Sequence, residues 1–403
     1  MSDATTLDHA PRSADRRSAI RFIVCLGLVS LFADMTYEGA YSGIGPFLTD
    51  LGTGAFAVGL IAGIGEMLSA SLRFVSGRLA DRTRAYWTLT TLGYVLNLIT
   101  VPALAFAQSW HAAAVLIALE RTGKAVRGPA RDVLLSDATQ AVGHGWGFGL
   151  HSAMDQTGAV VGPLIMAFVV ARTQHFAPAF LVLGIPAALA LAALLVARAF
   201  RHVRGTPPLL KPATRLPPVF WSYIVAAGLL ACGYADFVLM SYHFDKTAIL
   251  SREMIPLFYA MTMGVEGVTA FAFGRLFDRF GVRALAAGIA VASLALPFGF
   301  LGGQIGAALG VGFWGMGLGV QDASLRAGIA QVVSMNKRGT AFGTFNLVFG
   351  VGWLVGSVAM GWLYAHGLLS TLVIFGLTCQ LAGAAIFFSL RRPIAAAAIA
   401  GAN

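Results

Sequence analysis

The sequence predicts an all-α membrane protein built from two related halves of six spanning helices each. Three observations carry this. The 403 residues are 57% hydrophobic and only 11% charged. A soluble domain carries about 25% charged residues, so the surplus of apolar residues must face lipid. Twelve apolar stretches occur, each about as long as the ~20 residues a helix needs to cross the hydrocarbon core. Finally, a charged hexamer occurs twice, as Gly77-Arg78-Leu79-Ala80-Asp81-Arg82 and Gly274-Arg275-Leu276-Phe277-Asp278-Arg279, and differs only at its fourth letter. Each copy follows one long apolar stretch and precedes another. The repeat marks a duplication and places both copies in short loops on one side of the membrane, after spans 2 and 8.

In order, the first nineteen residues are polar and carry Arg12, Arg16 and Arg17. A secretory signal would need a short apolar core and a small-residue cleavage site. The stretch that follows instead contains Asp34 and Glu38 and runs on to Phe47, which reads as an uncleaved first span behind a disordered tail. The first six spans are expected at 20–42, 55–76, 86–108, 112–138, 146–171 and 178–199. The second six fall at 218–242, 254–273, 283–302, 304–333, 339–365 and 369–390. The stretches at 112–138 and 304–333 contain charges. Between the halves, Arg201 to Pro218 holds five prolines, several basic residues and no acid. The resulting division is a tail over 1–19, an N-terminal six-helix bundle over 20–200, a linker over 201–217, a C-terminal six-helix bundle over 218–392 and a tail over 393–403.

Basic residues favour cytoplasmic loops. With the N-terminus inside, nineteen of the twenty-eight Lys and Arg fall on the cytoplasmic side, and only Arg172, Lys246 and Arg252 fall outside. The remaining six lie within spans 2, 4 and 10. Both termini are therefore expected in the cytoplasm, with the chain in the cytoplasmic (inner) membrane of a bacterium-like cell. The net charge of +10 is mostly a topology signal, and no nucleic-acid partner is expected. The partners are the lipid bilayer, a small-molecule substrate and protons, and the chain is expected to be a monomer.

Several motifs then point one way. The hexamer resembles the G-x-L-a-D-r-x-G-r loop signature of the major facilitator superfamily. Gly281 and Arg283 complete the second copy, whereas Thr83-Arg84-Ala85 replaces the glycine step in the first. Arg121-Thr122-Gly123-Lys124 resembles the family's R-x-x-q pattern in span 4, with Lys124 in place of glutamine. Gly158, Gly162 and Pro163 resemble the span-5 G-x-x-x-G-P stretch of exporting members, without its trailing glycine pair. Asp34 followed by Gly45-Pro46-Phe47-Leu48 is similar to a span-1 stretch. The likeness covers the whole chain, is specific for the family and not for a substrate, and extends to uncharacterised bacterial permeases and exporters. It implies two pseudo-symmetric six-helix bundles around a cavity lined by spans 1, 4, 7 and 10, with a substrate site near the midplane. It also implies a cytoplasmic gate at Gly77, Asp81, Arg82, Gly274, Asp278 and Arg279. The alternative is that the hexamer arginines serve topology alone.

A charge in the hydrocarbon region costs at least ~2.5–3.5 kcal/mol, so the intramembrane charges are the candidate sites. Asp34 and Glu38 are four apart and share a helix face, flanked by Tyr37 and Tyr41. Two acids so close cannot both ionise easily, which suits a proton carrier. The alternative is an ion pair with a basic residue of span 4. That span offers Glu120, Arg121, Lys124, Arg127, Arg131 and Asp132, with 124, 127 and 131 on one stripe. Gly128-Pro129 should kink it and free a carbonyl. Arg121 either contacts substrate or holds Asp34 or Glu38, and Arg131 and Asp132 join either the gate or the cavity. In span 5, His151 and Asp155 are four apart and are either a titrating pair or a structural one. Asp236 in span 7 has no local partner and joins the proton-coupling set. Asp322 and Arg326 in span 10 read as a self-neutralised pair at the cavity, and Asn346 is placed there too. Glu66 and Glu266, on matching faces of spans 2 and 8, suggest an architectural role at the bundle interface.

Other patterns are set aside. Gly310, Gly312 and Gly315 spell G-x-G-x-x-G, but that fingerprint needs a strand before it, and here small residues serve helix packing. Gly145, Gly147 and Gly149 are read likewise. Cys25, Cys232 and Cys379 form no metal or redox spacing and read as small buried hydrophobes. No metal site, cofactor or nucleophile–base constellation is seen, so an enzyme is not expected. The sequence reads as a proton-coupled secondary transporter, with export favoured. Proton-driven uptake of a metabolite or siderophore-like compound is the first alternative. A non-transporting receptor or assembly factor on the same fold is the second.

Overall fold

Seven helices precede the interdomain linker and eight follow it in the computed structural model, which describes residues 13–140, 142–200, 216–333 and 337–391. They are α1 (Ser13–Asp50), α2 (Ala55–Thr83), α3 (Tyr86–Ala103), α4 (Trp110–Thr139), α5 (His144–Thr173), α6 (Phe176–Val182) and α7 (Gly184–Ala199), then α8 (Pro218–Gly233), α9 (Phe237–Lys246), α10 (Met254–Phe280), α11 (Val282–Ala292), α12 (Ala295–Leu301), α13 (Gly303–Val332), α14 (Arg338–Ala365) and α15 (Leu369–Ser389). Spans 6, 7 and 9 are each made of two helices, α6–α7, α8–α9 and α11–α12. Eleven spans are long and apolar enough to cross a membrane. The twelfth is α4, whose charges lower its hydropathy. It packs against α1, α2 and α3, so its polar side chains meet protein instead of lipid.

Two expectations shift. The first helix starts at Ser13 and ends at Asp50, so residues 13–19 belong to the helix and not to the tail. The rest of that tail, most of the linker and the C-terminal tail lie outside the described residues. The hexamers are also not loops. Both copies are helical, in the last turns of α2 and α10. Their Leu, Ala and Arg residues are good helix formers, and the chain turns only beyond them. Arg84 takes φ 54° and Gly281 takes φ 58°. The N–H of Arg84 bonds the carbonyl of Ala80, and that of Gly281 bonds Phe277. Both residues stand two places after their hexamer, so Arg84 occupies the slot that glycine fills in the second copy.

Within the first half, α1 packs on α5 and α7, and α4 on α2 and α3. Within the second, α10 packs on α13, and α8 on α14 and α15. The halves meet where α2 packs on α14, α5 on α10 and α1 on α9. The α2–α14 and α5–α10 contacts exchange under the duplication (spans 2 and 11 for spans 8 and 5), as two pseudo-symmetric bundles require. Small residues make the close approach possible. A Cβ on Gly45 of α1 would lie 2.1 Å from Ser241 Oγ and 2.5 Å from the Val238 carbonyl of α9. Of the set-aside glycines, Gly310 abuts the backbone of Gly299, Gly315 that of Thr262 and Gly147 the side chain of Thr139, whereas Gly145, Gly149 and Gly312 face open space and are not packing residues.

Backbone breaks are satisfied internally, as the bilayer requires. Pro129 interrupts the α4 hydrogen-bond ladder and frees the Ala125 carbonyl, which accepts Ser76 Oγ of α2 at 2.9 Å. Between α8 and α9 the carbonyl of Gly233 accepts Gln380 Nε2 at 2.9 Å and that of Ala235 accepts Trp314 Nε1 at 2.7 Å.

Candidate functional site

Glu38 sits in the second half of α1, 12 residues before its end at Asp50, on the side that meets the second bundle. Its Oε1 lies 3.1 Å from Lys124 Nζ of α4, and its Oε2 accepts the Tyr259 hydroxyl of α10 at 2.6 Å. One carboxylate therefore holds a cation of its own bundle and a donor of the other. Lys124 Nζ also lies 4.0 Å above the ring of Tyr37, so the ammonium is held from two sides. The expected acid pair is thereby divided. Asp34 accepts the hydroxyl of Tyr37 and forms no ion pair among the described residues, although it is only 6% exposed.

Arg121 does not hold either acid of α1, contrary to one expectation. It pairs with Glu66 of α2 at 3.2 Å and with its neighbour Glu120 at 3.3 Å, and its guanidinium covers the Tyr41 ring at 4.5 Å. Glu120 also accepts Asn97 Nδ2 of α3 at 2.6 Å. Lys124 thus takes the role foreseen for Arg121, because its side chain projects one turn further along α4, level with Glu38. Glu66 is an ion-pair member of the first bundle. Glu266 lies beside Asp322 and has no cation within ion-pair distance among the described residues. The expected Asp322–Arg326 pair does not form. Asn346 makes no hydrogen bond among the described residues.

Asp236, expected to lack a partner, is fully engaged. It caps α9 by accepting the Val238 N–H at 2.9 Å. Its Oδ1 accepts the Tyr41 hydroxyl of the first bundle at 2.6 Å, and its Oδ2 accepts Trp353 Nε1 at 3.0 Å. The break in span 7 puts the aspartate at a helix start, where the sequence offers no partner but the fold offers three. An aromatic layer surrounds it. The Phe237 and Tyr259 ring centres are 4.6 Å apart, those of Tyr234 and Trp353 5.4 Å, and those of Tyr41 and Tyr259 5.6 Å.

One turn or two toward the hexamer end, Ser30 is a hub for His151 Nε2 at 3.2 Å, Arg131 Nη1 at 3.2 Å and the Tyr94 hydroxyl at 3.3 Å. His151 and Asp155 approach to 3.7 Å. Arg131 pairs with Asp132 at 2.9 Å, within one helix and not between bundles. Arg127 is almost fully buried, with its guanidinium 4.3 Å from the centre of the Tyr94 ring. The span-5 glycines serve α1. A Cβ on Gly158 would lie 2.3 Å from the Leu31 carbonyl and 2.9 Å from Asp34 Cβ, and one on Gly162 would lie 2.3 Å from the Met35 carbonyl. They press α5 onto the backbone that carries Asp34.

The two ends differ. At the Asp50 end, Arg252 of the second bundle is paired with Asp50 of the first, and its Nε lies 3.4 Å from Asp245. Hydrogen bonding to Asp50, and then the charges of Asp50 and Asp245, push the Arg252 guanidinium above its usual value. Nearby, the Tyr242 hydroxyl donates to the Thr53 carbonyl at 3.2 Å. On the hexamer side of Glu38, Gln156 of α5 donates to the Met263 carbonyl of α10, and beyond that bond no ion pair or hydrogen bond joins the bundles among the described residues. Asp81 and Asp278 have no ion-pair partner there, and Asp322 and Arg326 are exposed. Gly77 packs on the ring of Pro129, 3.6 Å from its would-be Cβ.

Tyr259, Trp353, Trp314, Asp50 and Arg252 were not foreseen. Tyr259 stands seven residues before Glu266 on the same face of α10, and Arg252 is one of only three basic residues on its side, so both had a signal. The two tryptophans lie among many aromatics and had none.

Comparison with known proteins agrees with this architecture. Residues 26–318 match the family model of the Major Facilitator Superfamily, and the chain belongs to that family. The fold and family are those of membrane transporters and not of enzymes. Uncharacterised proteins of Mycobacterium bovis and Mycobacterium tuberculosis are each 38% identical over 387 residues, covering 93% of this chain and 94% of theirs. An uncharacterised MFS-type transporter of Methanocaldococcus jannaschii is 25% identical over 86% of this chain and 89% of its own. Among solved structures, a mutant of the nucleoside transporter NupG aligns with a TM-score of 0.74 at 14% identity, covering 92% of this chain and 99% of its own. A bacterial homologue of the human lysosomal transporter Spinster aligns at 0.70 and 14% identity, covering 94% and 98%.

Proposed function

We propose that this transporter is a proton-coupled exporter of a small organic molecule, working by alternating access in the cytoplasmic membrane with both termini inside. The observation that carries the reading is the double engagement of Glu38 by Lys124 of its own bundle and Tyr259 of the other. A proton on Glu38 removes the charge that both bonds depend on. The tie between bundles then weakens at mid-membrane, and Lys124 is released toward the gap. Deprotonation restores both bonds. Proton occupancy and bundle position are therefore linked through one carboxylate. Asp34, one turn toward the hexamer end, offers a second acid on the same helix face, and Asp236 offers a second tie through Tyr41.

In this arrangement the Asp50 end is held shut by Arg252 and Tyr242, while toward the hexamer end the last polar tie among the described residues is that of Gln156 to the Met263 carbonyl. With the termini inside, that is the inward-open state. Export is supported by the likeness of Gly158, Gly162 and Pro163 to exporting members, and by their place against the backbone around Asp34. In inside-out vesicles with an imposed proton gradient, adding a transported compound should dissipate the gradient with wild type. A panel of metabolites and drugs identifies such compounds. Glu38→Gln should abolish the effect and Asp34→Asn should weaken it. Unchanged dissipation in both variants overturns the proton site, and dissipation only from the opposite membrane orientation overturns export.

A further inference from the structure

We propose that His151 and Asp155 of α5 form a second proton-binding site, a dyad between Asp34 and the hexamer end through which the coupling proton leaves. The inference rests on the proton-coupled reading above and adds the group that holds the proton on its way out.

The hydrogen bonds around the His151 ring leave one nitrogen open. The residue is 4% exposed. Its Nε2 lies 3.2 Å from Ser30 Oγ, which also accepts Arg131 Nη1 at 3.2 Å and lies 3.3 Å from the Tyr94 hydroxyl. Ser30 has two lone pairs and one hydrogen. Arg131 fills one lone pair, an N–H at His151 Nε2 fills the other, and the Ser30 hydrogen then goes to Tyr94. His151 Nδ1 is left as a buried lone pair with no partner among the described residues. The other neutral tautomer would bury an N–H without an acceptor at that atom, which folded proteins avoid. A neutral imidazole with a free lone pair can accept a proton.

The surrounding charges favour that step. Arg127, Arg131 and Asp132 of α4 and Asp155 of the same helix act on the ring, and Asp34 of α1 acts together with Asp155. Arg131 is paired with Asp132 at 2.9 Å, and Arg127 lies against the rings of Tyr37 and Tyr94. Two arginines thus face three carboxylates. With all of them ionised and the ring neutral, the group carries one excess negative charge, and a net charge within a span is costly. One proton makes the group neutral. Asp155 Oδ1 is the counter-charge for an imidazolium. It lies 3.7 Å from His151 Nε2 and is buried without a hydrogen-bond partner among the described residues.

The dyad also stands in the right place. Ser30, which holds the ring, is one turn before Asp34 on α1. A Cβ on Gly158, one turn after Asp155 on α5, would lie 2.9 Å from Asp34 Cβ. The pair is therefore a turn from Asp34 along both helices, on the side away from Glu38. The Asp155 side chain is 28% exposed, and it precedes Gln156, beyond which no polar bond joins the bundles among the described residues. The proton leaves the Asp34 carboxyl, which becomes a carboxylate. It rests on the ring as an imidazolium facing Asp155, then passes to water at the hexamer end as the ring returns to neutral. The carboxylate holds the proton, and the missing acceptor at Nδ1 loosens it, so this open state releases it.

The test uses full-length protein with 15N-labelled histidine, reconstituted in liposomes. Solid-state NMR follows the imidazole nitrogens over about pH 4–9, which brackets a free imidazole. His151→Gln, whose amide can keep the Ser30 bond, assigns the His151 signals among the eight histidines. In wild type the ring should be neutral with its hydrogen on Nε2 at high pH, and should take up one proton within the range. Asp155→Asn should weaken that uptake at least about tenfold, as loss of an adjacent opposite charge does, and Asp34→Asn should weaken it by a smaller factor. If Asp155→Asn fails to fold, Asp155→Ser carries the comparison. Glu38→Gln should leave the His151 titration in place, so a failure here is distinct from a failure of the Glu38 site. A ring that keeps one charge state over the whole range overturns the proposal. So does a titration that neither aspartate substitution alters, or one that Glu38→Gln abolishes.

Discussion

Removing the charge of Glu38 tests the energetics on which the coupling depends. The Glu38–Lys124 pair is 3.1 Å long, with the two side chains 16% and 19% exposed. At an effective dielectric near 20 the gross attraction is about 5 kcal/mol. Desolvation offsets most of it, so the intact pair contributes little net stability, whereas stripping one partner from a buried pair costs about 3–5 kcal/mol. Two contacts soften that cost. The Tyr37 ring still faces the ammonium, worth about 1 kcal/mol, and the amide oxygen introduced by the substitution still accepts from Tyr259. We therefore expect Glu38→Gln to destabilise by about 2–4 kcal/mol and Lys124→Met by a similar amount. The double variant should lie within about 1 kcal/mol of wild type, because no uncompensated charge remains. The assay is equilibrium unfolding in mixed micelles of the four proteins of the cycle. Single substitutions within about 0.5 kcal/mol of wild type, or additivity in the double variant to the same margin, refute the reasoning.

Further outcomes follow from other contacts. Asp236→Ala removes the α9 cap and orphans the buried Trp353 donor and the half-buried Tyr41 hydroxyl, so a loss of about 3 kcal/mol is expected on unfolding, and Asp236→Asn should lose less. Arg252→Ala breaks a pair whose partners are each about a third exposed. It should cost at most about 1 kcal/mol in stability, yet it should raise the labelling rate of a cysteine placed at Thr53. Arg84→Gly relieves a left-handed arginine in the slot that Gly281 fills, and should raise stability by up to about 1 kcal/mol in the same unfolding assay.

Much of the fold is legible in the sequence because a bilayer permits few solutions. Length and apolar content mark twelve spans, and the hexamer repeat fixes their pairing into halves. The shape of the turns is less legible. The hexamer is read as a loop because it is charged, yet charge at a helix end is compatible with helix, and the turn is set by the positive φ at Arg84 and Gly281. The site is legible in composition and not in pairing. Every charge of α4 is visible as expensive and therefore partnered. Which acid each one meets depends on rotation and height between helices, and this separates Lys124, which reaches Glu38, from Arg121, which reaches Glu66. Asp236 shows the limit most clearly, since its partners come from positions 41, 238 and 353, and only the second is close in sequence.

The most direct measurement is of distance between the bundles as a function of protonation. With Cys25, Cys232 and Cys379 replaced by alanine, spin labels at Gly54 and Thr247 report the Asp50 end, and labels at Thr83 and Phe280 report the hexamer end. Pulsed electron–electron resonance on reconstituted protein then gives both distance distributions across pH. The expected result is that acidification lengthens the Gly54–Thr247 distance and shortens the Thr83–Phe280 distance. Glu38→Gln should show the acid-like distributions at every pH. Distributions in Glu38→Gln that match wild type, and that still respond to pH, would contradict a gate governed by the proton on Glu38.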